Sequence, residues 1–211
     1  MDIKFTIIID LIGTFAFAIS GIRLASGKNI DWFGAYIIGL VTAIGGGTLR
    51  DLLLGIRPFW MLDAKYFMVT GFALLSSLIF KEKLFKYDKT LLLFDTIGLG
   101  LFTIVGIEKS AEAGLPNWVS IAMGTITGSL GGVIRDVLLN EVPLIFRKDI
   151  YALVCVAGGG VYFICTDLNF PNGISETIGA LAVIAFRLIA VHFHIHLPQL
   201  QQIDKKNSLN E

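Results

Sequence analysis

Two short segments place glycines directly before a charged pair inside otherwise apolar stretches. The first reads GGGTLRD over residues 45–51, and the second reads GGVIRD over residues 131–136. On insertion scales, a charged side chain at the centre of a membrane helix costs about 2.5–3.5 kcal/mol unless it finds a partner or water. Glycine runs also loosen a helix. The pattern predicts a paired or hydrated polar site at membrane depth.

The two segments are copies within an internal duplication. Arg135 and Asp136 each follow Arg50 and Asp51 by 85 positions. Without any gap, the same offset pairs Asp10 with Asp95, Gly39 with Gly124, Thr42 with Thr127, Gly46 with Gly131, Pro58 with Pro143 and Tyr66 with Tyr151. An internal repeat fixes the architecture, so it is read before local structure.

Composition identifies the class of protein. Of the 211 residues, 55% are hydrophobic and 16% are charged, and the mean hydropathy is +0.74, which indicates a multi-pass membrane protein. The zero net charge gives no sign of nucleic-acid binding. No zinc-ligand spacing, phosphate-binding loop or nucleophile elbow is found, so we expect neither an enzyme nor a cofactor or metal. The first apolar stretch lacks a signal-peptide pattern, and we expect it to be retained.

Seven apolar runs predict helices, but the third is short and the fifth is weakly hydrophobic, so the sequence indicates six or seven helices. They fall at about 3–24, 33–56, 64–80, 90–110, 116–140, 149–166 and 174–195. A duplicated unit of three helices must insert its copies in opposite directions. The predicted fold is therefore an all-α membrane protein of two inverted three-helix repeats, at 1–86 and 87–170, followed by a seventh helix at 171–197 and a polar cytoplasmic tail at 198–211.

The Lys and Arg residues predict the orientation. If the loop at 81–89 is cytoplasmic, eleven of the 17 basic residues lie on that side and four lie on the other. Arg50 and Arg135 are the two that remain within the bilayer. Because cytoplasmic loops carry the excess of positive charge, we expect the N-terminus outside and the C-terminus inside a bacterial inner membrane.

The small residues before each arginine allow two interpretations. Gly39, Thr42, Gly46 and Arg50 share one helical face, and residues 124, 127, 131 and 135 repeat that stripe. Such stripes let membrane helices pack closely. Alternatively, the stripe lines a hydrated path, with the helix interrupted at the glycines and the freed carbonyls replacing the hydration shell of a cation.

The carboxylates outnumber the guanidinium groups in this region. We expect Asp10 to lie at the depth of Arg50, and Asp95 to meet Arg135. With Asp51 and Asp136, each repeat then holds two carboxylates and one guanidinium, and the residual negative charge favours cations. Ion pairs that simply fix helix register are an alternative, and the two roles are compatible.

The tandem motifs, the trailing Pro58 and Pro143 and a seventh helix resemble the prokaryotic branch of the trimeric intracellular cation (TRIC) channel family, over residues 5–195. The resemblance implies homotrimers with one pore in each subunit, kinked at the glycines of the second and fifth helices, that conduct potassium and other monovalent cations. The same family has also been described as a glycine transporter domain.

A potassium-permeable channel is therefore the first hypothesis, and a carrier of a small amino acid such as glycine is the second. The expected partners are membrane lipid and other copies of the chain, and the ligand is a permeant monovalent cation. Asp10 and Asp95 are the expected intramembrane counter-charges. The predicted pore-lining residues are Thr42, Gly45, Gly46, Gly47, Thr48, Arg50, Asp51, Thr127, Ser129, Gly131, Gly132, Arg135 and Asp136.

Overall fold

The computed structural model describes residues 3–81, 89–147 and 150–197, with side chains from residue 6 onward. This part of the chain contains seven α-helices, each of which begins and ends within three residues of a predicted run. They are α1 Ile3–Ala25, α2 Trp32–Leu53, α3 Lys65–Ile79, α4 Lys89–Glu112, α5 Asn117–Leu138, α6 Ala152–Asp167 and α7 Asn172–His192. The predicted tail at 198–211, most of the loop at 81–89, and Lys148 lie outside the described residues.

The helices differ in how well each could cross a membrane. Within the described residues, α1, α2, α4 and α7 are long and apolar enough to span by themselves. The helix α5 has the length but carries glycines, threonines and a charged pair. With 15 and 16 residues, α3 and α6 extend only about 22–24 Å at 1.5 Å per residue, less than the roughly 30 Å hydrocarbon core. Neither α3 nor α6 is therefore long enough to cross that core by itself.

The linkers that precede α3 and α6 have the same backbone path. Each contains a short 3-10 helix, Phe59–Met61 before α3 and Leu144–Phe146 before α6. Each also begins with a left-handed residue, Gly55 at φ +69° and Asn140 at φ +55°. All of these positions are separated by the offset of 85, so the duplication extends to the loops.

The contacts between repeats are reciprocal. The Phe102 ring of α4 covers Gly13 of α1, and the Phe17 ring of α1 covers Gly98 of α4. Phe17 and Phe102 are equivalent residues, and their ring centroids are 5.3 Å apart. Such exchange of equivalent contacts is the mark of a two-fold axis, which passes between these rings.

The equivalent helices run in opposite directions, as predicted. Residue Thr6 near the start of α1 meets Glu108 near the end of α4, and α2 crosses α5 in the same antiparallel sense. The helix α7 has no equivalent and packs against α4 and α6. The inverted-repeat architecture is thereby confirmed, and it places the two Arg-Asp pairs at opposite ends of the bundle.

Candidate functional site

The glycines of α2 and α5 meet where these helices cross. A β-carbon at Gly46 would overlap the backbone carbonyl oxygen of Thr127, and one at Gly131 would overlap that of Thr42. The remaining stripe positions also pack: Gly39 lies against Ala18 and Ile22 of α1. The glycines therefore allow close backbone contact, which is the packing interpretation of the stripe.

The helix interruption expected at these glycines is absent. Both α2 and α5 continue as α-helix through residues 45–47 and 131–132, so their backbone carbonyls are not released. Glycine costs only about 1 kcal/mol per residue in a helix, and the packing at the crossing can offset that cost. The prediction that backbone carbonyls are freed at these glycines to bind a cation is therefore wrong for this conformation.

The hydroxyl groups predicted to line a path bond within their own helices. Thr42, Thr48, Thr127 and Ser129 each donate to the carbonyl four residues earlier, over 2.6–2.7 Å. Thr42 and Thr127 are fully buried. Thr48 also accepts the indole N–H of Trp60 at 2.9 Å. Their oxygens keep a free lone pair, so a role in cation contact stays a prediction.

The first polar cluster, called the Arg50 cluster, consists of Arg50, Asp51, Phe59, Asp10 and Tyr66. Arg50 Nε and Nη2 both contact Asp51 Oδ1, at 2.8 and 2.7 Å. Asp51 Oδ2 accepts the backbone N–H of Phe59 at 2.8 Å. Asp10 Oδ2 instead accepts the Tyr66 hydroxyl at 2.6 Å. Arg50 and Asp51 thus hold the linker before α3, and Asp10 is held by a tyrosine.

The second cluster, called the Arg135 cluster, consists of Arg135, Asp136, Asp95, Ser20 and Tyr151. Arg135 contacts Asp136 Oδ1 through Nε and Nη2, at 2.8 and 2.7 Å, and Asp136 accepts the N–H of Leu144 at 3.1 Å. Arg135 Nη1 also reaches Asp95 Oδ1 at 2.6 Å and the Ser20 hydroxyl. The predicted meeting of Asp95 and Arg135 is observed.

The two clusters share their Arg-Asp-linker arrangement but differ at the second acid. Arg135 bonds to Asp95, whereas Asp10 bonds to Tyr66. The residue 85 positions after Ser20 is Val105, which cannot accept a hydrogen bond from Arg50. Near Asp10 the structure also brings Lys109, whose ammonium lies 5.4 Å from the Phe59 ring centroid. Differences in two neighbouring residue types therefore break the symmetry of the acid pairing.

The two tyrosines give a prediction with an internal control. Tyr66→Phe removes the donor to buried Asp10, and we expect a loss of about 1–3 kcal/mol in unfolding free energy. The Tyr151 hydroxyl has no hydrogen-bond partner among the described residues, so Tyr151→Phe should change stability little. Thermal unfolding of both variants in detergent tests this. Equal losses would contradict the observed asymmetry.

Sequence reasoning missed several residues of these clusters. The offset of 85 pairs Tyr66 with Tyr151, and this pairing could have predicted that the two tyrosines occupy equivalent positions in the two clusters. Arg187 of α7 is buried: it donates to the Ile150 carbonyl at 2.7 Å and lies over the Tyr151 ring. No pattern in the sequence indicates this contact, because α7 lies outside the duplication.

An exposed ion pair joins two turns at the end of the bundle where α1 ends. Lys28 Nζ lies 2.7 Å from Glu141 Oε1, and Arg147 Nη2 lies 3.7 Å from Glu141 Oε2. The Lys28 ammonium holds the pKa of the Glu141 carboxyl below its usual range. The pair connects the α1–α2 turn to the α5–α6 linker, next to the Arg135 cluster.

Comparison with known proteins gives consistent results. A family model described as glycine transporter matches residues 7–82 and again 92–167, at the same offset of 85. The UPF0126 inner membrane protein YadS of Escherichia coli is 36% identical over 90% of this chain and 93% of its own length. A UPF0126 membrane protein of Vibrio cholerae is 36% identical over 94% of this chain and 84% of its own length.

A solved structure is also similar to this chain. The TRIC trimeric intracellular cation channel orthologue from Rhodobacter sphaeroides superposes with a TM-score of 0.84 at 31% identity, covering 90% of this chain and 98% of that one. The similar structures are channels rather than enzymes. One family model matches both halves of this chain, and the YadS protein and the R. sphaeroides orthologue each align with nine-tenths of it. The chain therefore belongs to the glycine transporter (UPF0126) family, in the branch of the prokaryotic TRIC channels.

Proposed function

We propose that this protein is a homotrimeric channel for monovalent cations, permeable to potassium, with one path through each protomer of a bacterial inner membrane. The observation that carries the proposal is the presence of acid-rich clusters at both ends of a two-fold bundle that superposes on a TRIC channel orthologue. Each cluster holds two carboxylates and one guanidinium. Asp side chains along a path supply oxygen ligands for cations. The cations Lys109 and Arg187, which lie beside the two clusters, balance the formal charge of those carboxylates.

The proposed path runs from the Arg50 cluster, past the crossing of α2 and α5, to the Arg135 cluster. All the predicted pore-lining residues belong to these three regions of α2 and α5. Asp10 is the carboxylate most available to a cation, because it accepts a tyrosine hydroxyl and makes no ion pair among the described residues. Asp95, by contrast, is neutralised by Arg135.

The described conformation corresponds in this proposal to a closed channel. Arg50 and Arg135 are each 1% exposed, and the tilted rings of Phe17 and Phe102 pack together on the axis between the repeats. Opening requires the guanidinium groups to leave the path or to become hydrated. The hydrogen bonds that hold Arg135 to Asp95 and Ser20 are the contacts that must then rearrange.

Potassium efflux from liposomes tests the function. Protein reconstituted in potassium-loaded vesicles should release potassium at a rate that rises linearly with its gradient. A carrier would instead show saturable exchange of glycine across the same vesicles. Saturable glycine exchange without potassium release would overturn the channel proposal. Release of both potassium and glycine would show that the path is not selective for cations.

The assembly, the orientation and bound lipid are further parts of the proposal. The similar orthologue from Rhodobacter sphaeroides is a trimeric channel, which supports a homotrimer here. Mass measurement of the detergent-solubilised protein should give three copies of the 23.0 kDa chain. The N-terminus is proposed to be outside and the C-terminus cytoplasmic, on the distribution of Lys and Arg.

A further inference from the structure

Two buried carboxyl groups meet on α4 and α7, apart from the two arginine clusters. Glu108 and Glu176 are 5% and 2% exposed. Gly100 of α4 packs against Ala180 and Ile184 of α7, and Gly179 of α7 packs against Ile104, so this antiparallel register places Glu108 opposite Glu176. The Thr6 hydroxyl of α1 donates to Glu108 Oε2 at 3.5 Å. The contact therefore joins α7, the helix outside the duplication, to the first helix of each repeat.

This acid pair does not come from the duplication. The residue 85 positions before Glu108 is Arg23, and α7 has no equivalent helix. The pair is a feature of the α4–α7 interface alone. The pair lies at the end of the bundle where α1 begins, since Thr6 contacts Glu108.

Among the side chains that the structure describes, no cation faces the two carboxylates. The groups that face the pair are Thr6 on α1, Glu112 on α4 and Tyr162 on α6. The Lys109 ammonium is directed toward the Phe59 ring. Among the described residues, no ion pair is formed by Glu108 or Glu176.

The Glu176 side chain carries a second indication that the pair is not doubly ionised. Its Oε2 atom is buried and has no hydrogen-bond partner among the described residues. An unpartnered oxygen is far more costly on a buried carboxylate than on a neutral carboxylic acid. Two adjacent carboxylates in a site of low dielectric cannot both ionise, and one of them keeps a proton.

A metal ion would be the other way to hold two carboxylates together. The described residues contain no group of three or more His, Cys, Asp or Glu side chains that could hold one. With Thr6 as the other polar group in contact, the ligands are too few and too weak for a bound divalent cation. We propose that Glu108 and Glu176 bind one proton between them, and that this shared proton holds α7 against α4.

The proposal has a direct consequence for stability. While the proton is bound, the pair is a hydrogen bond between an acid and a carboxylate, which is shorter and stronger than a neutral one. Loss of the proton places two like charges in contact across the α4–α7 interface. In the unfolded chain a glutamate ionises near pH 4, at about its ordinary pKa. The stabilisation is therefore fully present only below that pH, and it is lost progressively as the pH rises toward the titration of the folded pair.

Infrared spectroscopy of the full-length protein in liposomes tests the proposal. We compare the wild type with Glu108→Gln, Glu176→Gln and the double variant near neutral pH, and Glu112→Gln on the exposed end of α4 is the matched control. The wild type should show one protonated carboxyl band that either single variant abolishes, and the double variant should remove no more. The control should keep the band.

Three results would overturn the proposal. They are unchanged spectra in both single variants, a double variant that loses twice the intensity of each single one, and equal loss in the Glu112→Gln control. Thermal unfolding gives a second test that does not depend on the spectrum. The wild-type midpoint should fall as the pH rises from about 4, where an unfolded glutamate ionises, through neutral pH, and Glu176→Gln should flatten that fall because its amide can donate to Glu108 at any pH. Parallel curves would contradict the shared proton.

Discussion

Replacing Gly46 by alanine is expected to force α2 and α5 apart and to destabilise the whole bundle. The new methyl group would overlap the carbonyl oxygen of Thr127, and a backbone atom within a helix cannot turn aside as a side chain can. Overpacking of this kind costs about 1–3 kcal/mol, and sometimes more. Gly131→Ala should have the same effect, because its methyl group would meet the Thr42 carbonyl.

Gly71→Ala in α3 is the matched control for the glycine variants. A β-carbon at Gly71 would have nothing within 4 Å. Since alanine favours a helix by about 1 kcal/mol over glycine, this variant should be as stable as the wild type or slightly more stable. The measurement is the thermal midpoint in detergent. If Gly46→Ala unfolded at the temperature of Gly71→Ala, the close crossing would not be needed for the fold.

Replacing Arg135 by glutamine is expected to have an effect of similar size for a different reason. The guanidinium is 1% exposed and contacts the carboxylates of Asp95 and Asp136. Removing one partner of a buried ion pair costs about 3–5 kcal/mol, because the remaining charge is left without compensation. Arg50→Gln should cost less, since Arg50 forms an ion pair with one carboxylate, that of Asp51, among the described residues.

The control for Arg135 is Arg147→Gln, in the linker that follows α5. Arg147 is exposed and lies 3.7 Å from Glu141, and such surface pairs contribute about 0–1 kcal/mol. A double-mutant cycle of Arg135→Gln with Asp95→Asn then isolates the coupling between the two side chains. Equal losses for the Arg135 and Arg147 variants, or no coupling in the cycle, would contradict a buried ion-pair cluster.

The repeat architecture could be predicted from the sequence because a gapless offset is a property of the sequence alone. The pairs Pro58 with Pro143 and Arg50 with Arg135 needed no knowledge of packing, and three helices per copy required inversion. The role of the glycines could not be decided in this way. Close packing and a hydrated lining use the same residue spacing, and only the contact of Gly46 with Thr127 separates them.

The different partners of Asp10 and Asp95 also could not be predicted from the sequence. Asp10 and Asp95 are the same residue type in equivalent places, and so are their tyrosines. The difference comes from residues of the opposite repeat, Ser20 and Lys109, which reach each cluster only in the folded bundle. The Glu108–Glu176 contact was missed for the same reason, since those residues are 68 positions apart and share no motif.

The central proposal is that each protomer conducts cations, and its most direct test is the reversal potential in a planar bilayer. Purified protein is placed between two potassium chloride solutions of unequal concentration, and single-channel current is recorded against voltage. The channel proposal predicts discrete current steps that reverse close to the potassium equilibrium potential. Reversal at the chloride potential, or no steps from correctly assembled protein, would contradict it.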